Sequence, residues 1–214
     1  MLKADFHIHT KYSMDCQTEP KEIVKRCQTL GINCIAISDH NAIEGALKTQ
    51  EIAPFKVIVA EEVLTHNGEV MGMFLKKHIT SGISIEKAIA AIKEQGGLVA
   101  IPHPFDPIRG LRLKAEEFDK LAPQIDIIEI FNARCPFGKA DAKAREYAKN
   151  YNIPGIAGSD AHKTSEIGNV FVTLPEFKSP EEFLSKLNEA GIQGKRSSPF
   201  VHLYTTLAKI KKIF

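Results

Sequence analysis

The chain has 214 residues, of which 43% are hydrophobic and 25% are charged. This length suffices for one well-buried domain, and the composition is that of an ordinary globular protein. The formal net charge of +2 argues against nucleic-acid binding through bulk positive charge. No apolar run approaches membrane-spanning length, and Asp5, His7 and His9 interrupt any apolar leader. The four cysteines have no paired spacing, so we expect reduced thiols and a cytoplasmic protein.

The first predicted strand carries groups that can bind a metal ion. Asp5, His7 and His9 alternate with Phe6 and Ile8, which is the two-residue period of a β-strand. The pattern predicts that the carboxylate and both imidazoles leave one face and that the apolar residues pack on the other. Two imidazoles at positions i and i+2 can reach the same metal ion.

Strands and helices then alternate along the chain. The further predicted strands span 34–38, 56–61, 70–75, 98–101, 125–130 and 155–158, with one more possible at 170–174. The predicted helices span 21–30, 42–50, 85–95, 113–121, 139–151 and 180–190. About seven strand–helix units are typical of a parallel α/β architecture, either an open doubly wound sheet or a closed barrel.

Polar residues fall at the carboxyl ends of the predicted strands. These residues are His7, His9, His40, Glu62, His103, Asp160 and His162. An open sheet uses mainly one crevice at its switch point, whereas a barrel gathers residues from several strand ends on one rim. The distribution therefore favours the barrel.

So many ionisable groups on one rim would be costly to remove from water unless bound cations compensate them. The set contains five histidines together with Asp15, Glu62 and Asp160, which is more than one tetrahedral ion needs. Two or three ions bridged by carboxylates fit better, and such centres are used for phosphoester hydrolysis.

Four short motifs carry a resemblance to a known family. They are Asp-Phe-His-Ile-His-Thr at 5–10, Ser-Asp-His at 38–40, Pro-His-Pro at 102–104 and Gly-Ser-Asp-Ala-His at 158–162. In this order they resemble the motifs of the PHP (polymerase and histidinol phosphatase) superfamily. The resemblance implies a distorted seven-stranded (β/α)7 TIM-like barrel. From the length of the chain we expect 1–214 to form a single domain, with 195–214 as a tail packed on the barrel. The resemblance also implies hydrolysis of phosphomonoesters or phosphodiesters by a water activated on two or three divalent ions (Zn, Mn, Fe or Mg).

The resemblance assigns eight metal ligands, and Glu69 is a ninth candidate. His7, His9 and Asp160 are expected to bind the first ion, Glu62 to bridge it to the second, His103 to bind the second, and Asp15, His40 and His162 to bind the third. Two departures accompany this assignment. The family's Gly-x-Glu motif reads Ala60-Glu61-Glu62, and Glu69, with His66 close by, stands where many members have one more histidine. A more carboxylate-rich set tilts the preference from Zn towards Mn, Fe or Mg.

The expected catalytic residues are His7, His9, Asp160 and Arg134. Arg134 or Arg109 would neutralise charge on the phosphoryl oxygens. Glu129 faces the site and could orient a ligand, whereas Asp39 points away from it. Cys16 and Cys135 adjoin the site loops without a thiolate role, and His78 and His202 are expected on the surface. The expected partner is a small phosphorylated substrate or a nucleotide, with nucleic acid only as a substrate and no membrane.

Two other functions stay open. An amidohydrolase also begins its barrel with His-x-His, but it usually has eight strands and a lysine or glutamate bridge on strand 4. A PHP-like barrel could instead be a non-catalytic scaffold for protein or RNA, although a scaffold has no reason to keep a full ligand set. Leu203, Leu207, Ile210 and Phe214 have helical spacing, which favours a tail packed back on the barrel over a partner or membrane surface.

Overall fold

A computed structural model describes residues 1–198, 200–201, 205–206 and 208–209. Strands and helices alternate through most of this part of the chain. The strands are β1 (Leu2–Ile8), β2 (Cys34–His40), β3 (Lys56–Thr65), β4 (Gly68–Met73), β5 (Leu98–Ile101), β6 (Ile127–Asn132), β7 (Gly155–Gly158), β8 (Val170–Leu174) and β9 (Gly191–Gly194). The helices are α1 (Pro20–Leu30), α2 (Glu44–Ile52), α3 (Ile85–Glu94), α4 (Ala115–Leu121), α5 (Gly138–Asn150) and α6 (Pro180–Leu187). His202 and the four apolar tail positions used above lie outside the described residues.

All nine strands form one sheet in the order β7-β6-β5-β4-β3-β2-β1-β8-β9. β1, β2 and β3 are parallel, as are β5, β6 and β7, whereas β4 is antiparallel to both of its neighbours. The sheet curves until β7 contacts β1, where His9 N donates to Ala161 O at 3.0 Å. The architecture is therefore α/β with a nearly closed, barrel-like sheet.

The predicted count of seven strands is wrong, because the sheet has nine. β3 and β4 form a hairpin around the two residues His66 and Asn67, so no helix separates them. β8 continues the sheet beyond β1 with antiparallel pairing, and β9 pairs with β8 in the same way. The regular strand–helix repeat is interrupted at these two places.

The predicted alternation along β1 is also wrong, because the register with β2 shifts between Asp5 and Ile8. Phe6 belongs to a buried cluster that includes Phe183 of α6, whereas Ile8 belongs to the cluster that α1–α5 cover. A β-bulge changes which face successive side chains take. His7 and His9 reach the barrel's rim, but Asp5 accepts hydrogen bonds from the backbone of Ser159 (2.9 Å) and His7 (3.4 Å).

The alternation predicted for β2 is confirmed. Ile35 and Ile37 pack in the cluster under the helices, while Cys34 and Ala36 pack in the cluster on the opposite face. His40 follows on that opposite face at the strand's end. Small residues on this side leave room for the ligands above them. Within the described residues no helix has the length and apolarity needed to cross a bilayer.

Candidate metal centre

All nine predicted metal ligands meet at the carboxyl end of the barrel. They are His7, His9, Asp15, His40, Glu62, Glu69, His103, Asp160 and His162. Their donor atoms form four overlapping groups, each with its atoms within 4.8 Å of one another: His7, His9 and Asp160; His7, Glu62 and His103; His9, Asp15, His40 and His162; and His40, Glu62 and Glu69. The first and third groups match two of the expected ion sites, and the second and fourth share Glu62.

Glu62 lies at the centre of this arrangement. Its carboxylate oxygens lie 3.3 Å from Nε2 of His7, 3.3 Å from Nε2 of His9, 3.3 Å from Nδ1 of His40 and 3.2 Å from Nε2 of His103. Both oxygens are buried, and neither accepts a hydrogen bond from the described residues. A buried carboxylate without a donor is costly, and bound cations are a natural compensation.

The contact made by Nδ1 of His7 shows that its other ring nitrogen, Nε2, faces the cluster. Its Nδ1 lies 3.0 Å from Oε1 of Glu129, so a neutral imidazole donates there and presents a lone pair at Nε2. That Nε2 is 3.1 Å from Nε2 of His9. Lone pairs directed at one another and at a carboxylate suit a shared cation, so the residues fit the implied divalent ions.

Burial and neighbouring charge shift the two imidazoles in opposite directions. Burial disfavours the charged form of His7, yet the carboxylates of Glu62 and Glu129 hold its pKa well above the usual range. Burial and the neighbouring His162 lower the pKa of His9 to about 3. Because ligation requires the neutral imidazole, binding of a cation would displace a proton from His7.

Glu129 on β6 connects two predicted ligands. Beyond its contact with His7, its Oε2 accepts hydrogen bonds from the backbone N–H of His103 at 2.7 Å and from Nδ2 of Asn132 at 3.0 Å. The predicted role of Glu129 behind the ligands agrees with this placement. Asn132, which also donates to Asp160 at 3.2 Å, was not identified from the sequence.

Two of the predicted ligands have an unusual backbone. The φ angle is +30° for His103 and +53° for Asp160, in the left-handed region that residues with a Cβ rarely adopt. Such conformations persist only where surrounding contacts enforce them, and they are concentrated at functional sites. This backbone conformation helps to direct both side chains into the ligand cluster, and no sequence pattern predicts it.

Arg109 reaches the cluster from the loop after β5. It pairs with Oδ2 of Asp160 through Nη1, and its Nη2 lies 3.0 Å from Oδ2 of Asp106. Burial opposes ionisation of Asp160, but Arg109 and His7 hold its pKa well below the usual range. Oδ1 of Asp160 stays 3.4 Å from Nε2 of His9. Arg109 therefore positions a predicted ligand, with Asp106 as a partner that sequence reasoning missed.

Arg134 also contacts the predicted ligands. It contacts Nδ1 of His162, its Nε is 3.6 Å from Oε1 of Glu166, and its Nη2 donates to the backbone O of Val201 at 3.0 Å. The guanidinium thus joins a predicted ligand to the C-terminal segment. Its proposed contact with a phosphoryl group stays a prediction.

The remaining polar candidates lie outside the four ligand groups. Asp39 accepts hydrogen bonds from Thr10 N (2.5 Å) and Oγ1 (2.6 Å) and fixes the loop after β1. His66 and His78 are exposed. The thiols of Cys16 and Cys135 are buried, and burial raises the pKa of each to about 11.

A cavity of about 330 Å³ opens over the cluster. Four of its lining residues belong to the ligand cluster: Asp15, His40, Glu69 and His162. The other lining residues include Met14, Leu64, Ile108, Arg109, Arg134, Thr205 and Lys209. Nζ of Lys209 lies 3.5 Å from Oδ2 of Asp15. Several cationic side chains therefore surround the predicted ligands, which suits an anionic ligand.

A family model and two relatives match parts of this chain. A family model described as PHP-associated (PHP_C) matches residues 138–191. Two uncharacterized proteins of Methanocaldococcus jannaschii are similar: MJ1587 is 39% identical over 62% of this chain and 82% of its own length, and MJ0417 is 32% identical over 87% and 79%.

Among solved structures, a two-domain protein of Bacteroides vulgatus containing a predicted PHP-like metal-dependent phosphoesterase superposes with a TM-score of 0.74. It is 19% identical and covers 91% of this chain and 65% of its own. An amidohydrolase of Chromobacterium violaceum superposes with a TM-score of 0.57 at 15% identity, over 74% and 87% of the two chains. At these identities the two structures support the fold alone. With the family match, the relatives and the motifs, the chain belongs to the PHP superfamily.

Proposed function

We propose that this protein is a metal-dependent phosphoesterase that hydrolyses a nucleotide or a small phosphorylated metabolite on a centre of two or three divalent ions. The observation that carries the proposal is the buried Glu62 carboxylate, which has imidazole nitrogens at 3.2–3.3 Å and no hydrogen-bond donor among the described residues. Bridging carboxylates between closely spaced ions are typical of centres that cleave phosphoesters.

When bound, such ions supply Lewis acidity and a nucleophile at neutral pH. The chain's own residues do the rest of the work. His7, His9 and Asp160 hold the centre, and Glu129 keeps the imidazole of His7 in the orientation that directs Nε2 inward. Arg134 is placed beside the ligands, where its guanidinium would neutralise charge on phosphoryl oxygens.

Glu69 favours a harder ion than zinc. Its Oε1 lies 2.8 Å from Nδ1 of His40, and its Oε2 lies 4.0 Å from Nε2 of His103, so it approaches the ligands from the β3–β4 hairpin. A carboxylate oxygen in place of an imidazole shifts the preference of the site from zinc towards harder ions. We therefore propose Mn, Fe or Mg at this position.

The amidohydrolase and scaffold readings have less support. β4, with the sequence GEVMGM, has no lysine but does carry Glu69, so the bridge on strand 4 does not separate the two classes. The Ser-Asp-His motif at 38–40 and the Gly-Ser-Asp-Ala-His motif at 158–162 favour the phosphoesterase instead. A scaffold has no use for a buried carboxylate among four imidazoles, which costs stability unless an ion is bound.

The test combines metal content with hydrolysis of p-nitrophenyl phosphate in the presence and absence of added Mn²⁺. We expect two or more equivalents of metal in the wild type and a loss of metal and activity in His7→Ala. His78→Gln is the matched control, because His78 lies outside the ligand groups and the glutamine amide can keep the contact with the buried Glu61. A folded wild type that stays metal-free and inactive after metal addition would favour the scaffold, and cleavage of amides but not phosphates would favour the amidohydrolase.

A further inference from the structure

Three large apolar side chains are exposed around the mouth of the cavity over the predicted ligands. The exposed fractions are 57% for Met14, 46% for Leu64 and 67% for Ile108. All three line this cavity together with His40, Glu69 and His162. Scattered exposed apolar residues are ordinary, but several at one opening mark a binding surface.

The local structure fixes Leu64 and Ile108 in place. Leu64 is two residues beyond Glu62 on β3, so both side chains leave the same face, and it pairs directly with Glu69 on β4. The backbone N–H of Ile108 donates to Oδ1 of Asp106 at 2.9 Å. The apolar pair is therefore presented by a paired strand and a hydrogen-bonded turn, with its side chains left to contact a ligand.

Cationic and apolar side chains lie next to each other around the cavity. Arg134 follows β6, Lys209 lies in the C-terminal segment and Arg109 directly follows Ile108, while Leu64 and Ile108 form an apolar part on the β3–β5 side of the barrel. Leu64 and Ile108 also line an adjoining cavity of about 230 Å³. A volume of about 330 Å³ is at the lower end of the range for small-molecule sites. The cavity therefore suits one phosphate group and one compact apolar body.

We propose that Leu64 and Ile108 bind a ring in the alcohol part of the substrate, so that the pocket selects phosphate esters of ring-bearing alcohols over esters of small hydroxylated alcohols. This inference rests on the proposed phosphoesterase function. Aryl and nucleoside esters both offer a flat ring for this contact: an aryl ester carries the ring directly on the phosphate oxygen, and a nucleoside ester carries it beyond the ribose. When the ring packs on Leu64 and Ile108, apolar surface of all three is removed from water. This favours binding of ring-bearing esters over esters without a ring.

The test is calorimetric binding of benzylphosphonate and methylphosphonate to the Mn²⁺-loaded protein. The two probes carry the same non-hydrolysable phosphonate and differ in the ring. We expect the wild type to bind benzylphosphonate about tenfold more tightly, the size of effect that one apolar contact region gives. The double variant Leu64→Gln/Ile108→Gln should lose that preference and keep its affinity for methylphosphonate. Leu47→Gln, which changes an exposed leucine on α2 outside the cavity, should keep both.

Hydrolysis separates the two sources of the ring. Rates with 1-naphthyl phosphate, a nucleoside 5′-monophosphate and glycerol 1-phosphate should show a ring preference that the double variant loses, and the preferred ester identifies the source. Equal binding of the two phosphonates by the wild type would overturn this inference while leaving the hydrolase intact. A wild-type dimer that the double variant dissociates would assign the apolar pair to an interface instead. Failure to bind either phosphonate, with no ester hydrolysed, would remove the proposed function itself.

Discussion

Glu129 lies behind the predicted ligands, where it accepts hydrogen bonds from the ring of His7 and the backbone of His103. The side chain is 1% exposed, so a substrate in the cavity would not touch it. Its negative charge makes the His7 imidazole a better donor of its Nε2 lone pair, because the carboxylate accepts the proton on Nδ1. The site therefore depends on Glu129, a residue that contacts the predicted ligands but does not itself belong to the ligand groups.

We expect Glu129→Gln to weaken metal affinity by roughly 10- to 100-fold, since the neutral amide loses the charge-assisted hydrogen bond to His7. Competition for Mn²⁺ against a chelator of known affinity measures the change. Glu146→Gln is the control, because Glu146 is an exposed glutamate on α5. Unchanged affinity in a folded Glu129→Gln protein would contradict a positioning role.

The sequence predicted which residues come together in the ligand cluster. It did not predict the contacts and backbone conformations that fix their side chains. His40 and Glu62 could be placed from strand alternation, since a two-residue period assigns each side chain to a face. The pairing of Arg109 with Asp160 depends on the path of an irregular loop, which has no such period. The left-handed backbone of His103 was hidden as well, because histidine is enriched in this conformation but only a small minority of histidines adopt it, so the residue type does not identify it.

At the scale of elements, β7 lies against β1, and Gly158 makes this possible. A Cβ at this position would lie 2.1 Å from Cβ of His7 and 2.9 Å from Oε1 of Glu129. The Cβ of His7 is fixed to the backbone of β1, and the backbone N of His7 would also lie only 2.9 Å away, so the two strands would have to separate. The glycine in the Gly-Ser-Asp-Ala-His motif is thus a packing requirement of the site.

Gly158→Ala should lower the free energy of unfolding by about 1–3 kcal/mol, which is the usual cost of adding volume to a packed interior. Chemical denaturation monitored by circular dichroism measures the change. Gly138→Ala is the matched control: it changes the first residue of α5, where a Cβ would meet only Nη2 of Arg196 at 3.5 Å. An effect of Gly158→Ala no larger than that of the control would refute the close packing.

The strands and helices with a clear local pattern of apolar residues were predicted from the sequence. Strands that exist only through pairing with a neighbouring strand were not. β5 and β7 were placed at their observed bounds, because continuous apolar or small runs between breaks mark buried strands. β9 has the sequence GIQG, which carries no apolar period, and it exists through antiparallel pairing with β8. The shifted register of β1 likewise depends on closure of the barrel, which a local pattern does not contain.

At the scale of the whole molecule, all four cysteines are free and buried in the fold. Burial raises the pKa of the thiol to about 12 for Cys27 and Cys34 and to about 11 for Cys16 and Cys135. The reactive form is the thiolate, and at pH 8 a thiol of pKa 11 is ionised in roughly one molecule in a thousand. Reaction with a thiol reagent should therefore require the fold to open.

We expect a disulfide-exchange reagent at pH 8 to label none of the four thiols within minutes in the folded protein and all four in concentrated urea. Mass spectrometry of the labelled protein counts them. Added Mn²⁺ should slow the labelling further, since a ligand that binds only the folded state lowers the population of open molecules. Rapid labelling of any one cysteine in the native protein would show that its surroundings open independently of the rest.

The closure between β1 and β7 also determines when the site can exist during synthesis. The hydrogen bond between Ser159 and Asp5 joins residues 154 positions apart, so the first and last motifs become neighbours only after three quarters of the chain has been made. At about 5–20 residues per second, His7 and His9 leave the ribosome roughly 8–30 s before Asp160 and His162. During that interval the nascent chain offers His7, His9 and Glu62 without Asp160, the carboxylate that completes the first ligand group. On the proposed function, metal loading would be coupled to completion of the barrel, because the last motif supplies Asp160 and His162 to the ligand groups.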